Sequence, residues 1–408
     1  MNDNSAEIRT NPVFMTAKTA VCLMAYAGIP NAEDIMEKLE LSYDNIPGMR
    51  DEQMILGNAL VVESKYRTMC RLISESGLKT EVDLPCGYTP KAIHMTDKGI
   101  DFIGLDLPIA AEEAGAVIAP MADRSDKIRF CGVDATNYES LKKALGGVTG
   151  EICITTEGMM MYFTDSEASA VVSNIKKLLE EHSGCWITPD PEYAVQFFLT
   201  FSSVMGEEAV QKLIETKKSA AGQSDVAALQ NSFIVDPTDP VNGIKKVSDF
   251  LDRHHLKAER INLGEIMPEL SVYDKLSSEQ IARFREAMKK CCYWKITLAK
   301  DDNMRDTINS TPFGFEFQPD GQGIMLKLCG RVDTLTAPEI LRAFEEKDTA
   351  EFSSVTVDCS DMEYISSAGL RVLMIMHKNT NEGIRLIGVN DNVREILEQT
   401  GFDSIFGL

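Results

Sequence analysis

Between residues 67 and 186, short apolar runs of strand character alternate with segments of helical period. The runs span residues 80–84, 102–107, 128–133, 152–156 and 185–188. This alternation narrows the fold more than any other feature of the chain. Strands that each return through a helix pair in parallel, and a parallel sheet is covered on both faces. Boundary signals agree with it. Pro90 opens a helix that closes at Gly99, with proline at the start and glycine past the end. Thr164-Asp165-Ser166-Glu167 reads as a capping box. Behind it, Ala168, Val171, Val172, Ile175, Leu178 and Leu179 form one apolar helix face.

The remaining sequence implies more than one core. A length of 408 residues predicts two or three domains. Residues 1 to about 50 have helical spacing at Ile35, Met36, Leu39 and Leu41, and residues 200–290 read as mostly helical. Strands are expected near 257–262 and 293–298. A polar stretch, 301–312, reads as a linker after a first domain of residues 1–300. A second αβ pattern occupies 313–408, with strands at 315–318, 323–328, 354–358 and 384–387 and helices at 338–346, 367–377 and 391–400. The formal charge of −22 argues against nucleic acid or an anionic membrane as partner. Ten scattered cysteines suggest reduced thiols and no metal site. With no signal peptide or spanning segment in view, a cytoplasmic protein is expected.

Ligands of open parallel sheets gather at the carboxyl ends of the strands. Four acids fall at such ends: Asp83 in Asp83-Leu-Pro-Cys-Gly87, Asp106, Asp134 and Glu157. Any one of them also suits a plain helix cap. Gly87 alone is a weak sign of close backbone approach, and the full dinucleotide fingerprint is absent. A carboxylate about 20 residues after the first loop suits ribose hydroxyls, so the spacing favours a nucleoside ligand. No histidine stands out as a base: His94 and His254-His255 are expected at the surface. The aromatic run Phe197, Phe198 and Phe201 reads as helix core before pocket lining.

On Asp83-Leu-Pro-Cys-Gly87-Tyr-Thr-Pro-Lys91, Gly104-Leu-Asp106-Leu-Pro108 and Thr156-Glu157-Gly158-Met-Met-Met-Tyr162-Phe163-Thr164, the first domain resembles class I S-adenosylmethionine-dependent methyltransferases. More narrowly it resembles the leucine carboxyl methyltransferase family. The resemblance implies a Rossmann-like sheet with flanking helices and a helical cap over about 1–60. It implies S-adenosylmethionine as cofactor, with Arg67 on its carboxylate and Gly87 beside its methionine part. Asp106 would bind the ribose, Asp134 the adenine amine and Glu157 the amino-acid portion, with Asp83 in the first loop motif. The methyl acceptor would be a carboxylate or hydroxyl on a small molecule or protein. Two departures stand out: Pro85 replaces the first loop glycine, and Thr89-Pro90 replaces an Asp-Thr pair.

Residues 313–408 resemble the STAS fold of anti-sigma-factor antagonists, a small α/β domain. The marks are Leu328-Cys-Gly330-Arg-Val-Asp333-Thr, Tyr364-Ile-Ser366-Ser367-Ala-Gly369-Leu-Arg371 and Leu386-Ile-Gly-Val-Asn390. The resemblance places Ser367 where the family is phosphorylated. It implies that Asp333, Ser366 and Ser367 face a serine kinase of the anti-sigma type. Read only locally, Ser367 is a helix N-cap. Two functions remain open. One is an O-methyltransferase carrying a phosphorylatable regulatory module. The other is a non-catalytic signalling protein with a degenerate cofactor-binding domain.

Overall fold

A computed structural model of the chain describes residues 12–43, 51–210, 231–299, 313–320, 323–332, 336–347, 354–381 and 383–406. Two compact units emerge, Met1–Ala299 and Lys300–Leu408. The expected linker, 301–312, lies outside the described residues.

The first unit opens with α1 (Pro12–Tyr26), α2 (Ala32–Lys38) and α3 (Glu52–Ser76). It continues with β1 (Thr80–Asp83), α4 (Lys91–Asp97), β2 (Asp101–Asp106), α5 (Pro108–Ile118) and β3 (Ile128–Gly132). Then come α6 (Tyr138–Ala144), β4 (Ile152–Thr155), α7 (Asp165–His182), β5 (Gly184–Thr188) and α8 (Tyr193–Met205). The last elements are α9 (Pro240–Arg253), β6 (Leu256–Asn262), α10 (Ser278–Met288) and β7 (Cys292–Leu298). The strands form one sheet in the order β3-β2-β1-β4-β5-β7-β6. Strands β1 to β5 are parallel, and β7 runs antiparallel to both β5 and β6. This is a Rossmann-like α/β sheet. The expected strands appear within a residue or two of their predicted ends.

Both sheet faces are buried, and neighbouring residues of one strand enter different cores. Phe102, Cys153 and Cys185 pack on one side, whereas Ile103, Ile154 and Trp186 pack on the other. The capping box that begins α7 is formed on both sides, with Thr164 and Glu167 exchanging hydrogen bonds. The longest helix among the described residues, α3, carries the expected helical cap of about residues 1–60 on to Ser76. Its buried positions include the consecutive run Glu63, Ser64, Lys65 and Tyr66, so it carries no clean apolar stripe. It packs against α1 and α8. Phe201 of α8 is fully buried, with its ring against Gly57 of α3, as helix core. The antiparallel edge is tied to the parallel strands by buried Glu192. Its Oε1 accepts bonds from Arg260 of β6 and Trp294 of β7, and its Oε2 accepts from the Cys292 amide.

The second unit contains β8 (Gly314–Asp320), β9 (Gly323–Val332), α11 (Ala337–Glu345), β10 (Val355–Ile365), α12 (Ser367–Lys378), β11 (Ile384–Ile387) and α13 (Asp391–Thr400). Its sheet has the order β11-β10-β9-β8, antiparallel only between β8 and β9. The first turn of α12 lies hard against the ends of β9 and β10. A Cβ on Gly369 would stand 2.7 Å from Ile365 Cγ1, 2.8 Å from Val332 Cγ1 and 3.1 Å from the Val332 carbonyl oxygen. Only glycine fits this contact without a shift. Gly369→Ala is expected to destabilise the second unit by about 1–3 kcal/mol. A denaturant titration following this unit should show a lower midpoint, and an unchanged midpoint would refute the packing argument.

Candidate functional site

The chain winds from β1 to β2 and β3 in one direction, then returns to place β4 and β5 on the other side of β1. The loops leaving β1 and β4 diverge at this switch, where open sheets bind their ligands. A cavity of about 250 Å³ opens there. Its walls include Gly87 and Thr89 after β1, Asp106 at the end of β2, and Glu157 and Tyr162 after β4. Helices α1 and α3 close it from above through Ala17, Ala20, Val61 and Lys65.

The acid of β2 organises the first loop. Asp106 Oδ2 accepts from the Gly87 amide at 2.9 Å, and Oδ1 accepts from the Leu107 amide at 2.7 Å. Each oxygen retains a lone pair for a ligand hydroxyl. Burial raises the Asp106 pKa, although these two N–H bonds oppose the shift. Gly87 has φ +53°, a conformation that leaves its backbone open to close approach.

After β4, a second carboxylate shapes the wall. Fully buried Asp190 accepts from the amides of Gly158, Met159 and Met160 at 2.6, 3.1 and 3.0 Å. Without it, three orphan N–H groups would be left inside the protein. The turn it holds, with Gly158 at φ +74°, sets Glu157 and Tyr162 at the cavity. Burial raises the Glu157 pKa, while Lys91 and Lys65 pull it down.

Beneath the cavity lies a charge cluster that sequence reasoning did not find. Glu81 and Asp83 alternate on β1 toward the same face, both fully buried. The Lys91 Nζ stands 2.9 Å from Asp83 and 3.9 Å from Glu81, and the Thr155 hydroxyl donates at 2.8 and 3.1 Å to the same two oxygens. One lysine cannot neutralise two carboxylates. Burial pushes Glu81 up to about 8, against the pull of Lys91. Lys91 itself is held charged: burial disfavours this, but Asp83, Glu81 and Glu157 more than compensate. The period-two placement of acids at 81 and 83 was the available signal.

The predicted residues do not all converge. Gly87, Asp106 and Glu157 meet at the cavity, with Asp83 directly below. Arg67 lies elsewhere, in a groove with His94 and Arg71. Its Nε is 2.6 Å from buried Glu63 and its terminal nitrogen is 2.6 Å from Ser271 Oγ. Lys65, two residues earlier on α3, reaches the cavity instead, as does Lys91. Asp134 is exposed and spent on a local turn, accepting from the amide and hydroxyl of Thr136. The histidine expectation is corrected for two of the three. His94 is half-buried, with Nδ1 2.6 Å from the Tyr66 hydroxyl and Nε2 facing Asn31. His254 is half-buried between the hydroxyls of Ser169 and Ser173.

In the second unit the capping residue is Ser366, not Ser367. Ser366 Oγ accepts from the Gly369 amide at 3.3 Å, and its own amide donates to Val332. Ser367 is the first residue of α12. Asp333 lies outside the described residues. Arg331 and Tyr364 meet on the adjacent strand ends, the guanidinium 4.2 Å from the ring centre.

Residues 315–407 match the family model described as "Mlab, STAS domain", so the C-terminal unit is a STAS domain. It is similar in structure to an anti-sigma factor antagonist from Mycobacterium paratuberculosis, at 21% identity over 24% of this chain and 86% of that one, TM-score 0.23. The first unit is similar to a DUF574 family protein from Streptomyces avermitilis, at 10% identity over 69% and 96% of the two chains, TM-score 0.38. It is also similar to magnesium protoporphyrin IX methyltransferase from Synechocystis with bound SAH, at 10% identity over 68% and 99%, TM-score 0.36. These likenesses assign no role to any residue here. No curated protein matches the sequence significantly.

The charge cluster makes a signed prediction. Folded Glu81 keeps its proton up to about 8, whereas the unfolded side chain loses it near 4.5. Between these values the folded state holds more protons, so Glu81 lowers stability progressively as pH rises through that window. Glu81→Gln should remove this fall. Thermal unfolding of variant and wild type should diverge from pH 5 to pH 8, and a constant difference would refute the assignment.

Proposed function

We propose that the first unit is an S-adenosylmethionine-dependent O-methyltransferase and that the STAS domain is its regulatory module. The domains would be residues 1–300 and 313–408, joined by 301–312. The observation that carries the reading is the meeting of Gly87, Asp106 and Glu157 at the winding switch. The residues there suit a nucleoside bearing an amino acid. The Thr89 hydroxyl is buried at the cavity with no partner among the described residues, a vacant hydrogen bond for a ligand. Asp106 suits ribose hydroxyls, and Glu157 with Lys65 offers opposite charges to an ammonium and a carboxylate. When bound, the cofactor supplies a methyl group already activated on sulfonium. The protein then has to orient the acceptor and exclude water. The apolar wall of Ala17, Ala20, Val61 and Val62 excludes water, and a carboxylate acceptor would need no base. This favours a carboxyl acceptor, in keeping with the leucine carboxyl methyltransferase resemblance, with a hydroxyl as the alternative.

Calorimetric titration tests the reading. S-adenosylmethionine should bind, and Asp106→Ala should weaken binding at least tenfold. Absence of binding at millimolar cofactor would leave the second reading, a signalling protein with a degenerate cofactor domain. The engagement of Arg67 by Glu63 and Ser271 is the observation favouring that alternative.

For the STAS domain, the reading is that Ser367 is phosphorylated by a serine kinase of the anti-sigma type, with Ser366 and Asp333 in the same contact surface. Ser367 begins a twelve-residue helix, where the dipole and free N–H groups accommodate an anion. A phosphate adds about −1.5 to −2 charge at that surface without unfolding the helix. Ser367→Asp should weaken binding to such a kinase while leaving the unfolding midpoint near that of wild type. Equal affinity of the two proteins would exclude the switch.

A further inference from the structure

A second concavity, of about 730 Å³, opens between α3, α4 and the turn that joins α1 to α2. Small-molecule sites measure about 300–1,000 Å³, so it is large enough for a metabolite. Among the described residues only Tyr66 lines both this groove and the cavity at the winding switch.

The charge of the groove runs against that of the chain. The chain carries a formal −22, yet Arg67, Arg71 and Lys98 line the groove against two acids, Glu75 and Asp97. Burial lowers the His94 pKa, so near neutral pH this residue adds no charge of its own. Arg67 and Arg71 stand one turn apart on α3, which puts about 5–6 Å between their Cβ atoms.

Both guanidiniums are braced, and both keep donors in reserve. Arg67 donates from Nε to Glu63 and from one terminal nitrogen to Ser271 Oγ. Arg71 donates from Nε to Glu75 and from one terminal nitrogen to the Ile266 carbonyl. In each, the other terminal nitrogen has no partner among the described residues. Lys98 is exposed and gives one donor to Ser74 Oγ at 3.1 Å. A guanidinium already fixed in place loses little freedom when its spare edge takes a carboxylate or phosphate. The rest of the lining suits a carbon skeleton. Ile29, Pro30 and Pro268 are apolar, and the Tyr66 hydroxyl is already matched by His94 Nδ1 at 2.6 Å.

We propose that this groove binds a small organic molecule with two oxyanion groups, a dicarboxylate or a diphosphate, through Arg67, Arg71 and Lys98. The site is separate from the cavity at the winding switch and does not rest on the methyltransferase reading. It gives Arg67 a ligand other than the cofactor.

Calorimetric titration of the full chain with succinate and with inorganic pyrophosphate tests the proposal, in low-salt buffer because such contacts are screened. One probe should bind with a Kd below about 1 mM, and which one it is separates the carboxylate from the phosphate. Arg71→Gln combined with Lys98→Gln should weaken that binding about tenfold or more. Both side chains are exposed, so the thermal midpoint should stay near that of wild type. Asp97→Asn removes an acid from the groove without touching the bonds of either arginine, and should tighten binding about twofold. Asp106→Ala, in the other cavity, should leave it unchanged. No binding of either probe at about 10 mM would overturn the site. So would equal affinity in the folded double variant, or loss of binding in Asp106→Ala. If the double variant does not fold, Asp97→Asn decides, and unchanged affinity there would overturn the site.

Discussion

Between β1 and β4 the chain changes its winding direction, so the loops leaving these neighbouring strands diverge and not all of their N–H groups pair with a strand or helix. Side-chain carboxylates complete the backbone instead. Asp106 takes the amides of Gly87 and Leu107, and Asp190 takes those of Gly158, Met159 and Met160. Each acid fixes a loop and, in doing so, sets one wall of the cavity. The site is therefore built by the same bonds that finish the sheet.

Charge is distributed around this gap in two layers. Glu81, Asp83 and Lys91 are sealed beneath it, where burial, helped by the neighbouring Asp83 charge, raises the Glu81 pKa against the pull of Lys91. Glu157, Lys65 and Asp106 face the cavity itself. Lys91 links the layers, since it lines the cavity and pairs with Asp83 below.

The STAS domain applies the same economy to one helix end. Ser366 satisfies the Gly369 amide, Gly369 lets α12 approach β9, and Ser367 is left as the first helical residue. Ser366 stabilises the helix, so the cap does not depend on the residue that follows it.

Much of this was readable along the chain. The strands, the Thr164–Glu167 capping box and the Gly-Leu turn of the STAS domain are set by local periodicity, capping and steric fit, which depend on residues within one or two turns of each other. So is the placing of acids after strands. What a carboxylate does there is not local. Asp106 and Asp134 follow equivalent strands, yet one holds the loop of the neighbouring strand and the other closes its own turn. Arg67 and Lys65 are two residues apart on one helix, about 200° around its axis, so packing alone sends the lysine to the cavity and the arginine to Glu63. The second half of the helix carrying them lay beyond the expected cap, because burial on nearly every side erases the amphipathic period. The sequence by itself determined the two αβ units, the strands of the first, where those of the second begin, and the serine pair at 366 and 367. Tertiary structure alone decided the strand order, the buried partners of Glu81 and the closure of the cavity by α1. Those depend on contacts between residues far apart in the chain, and no local pattern encodes them.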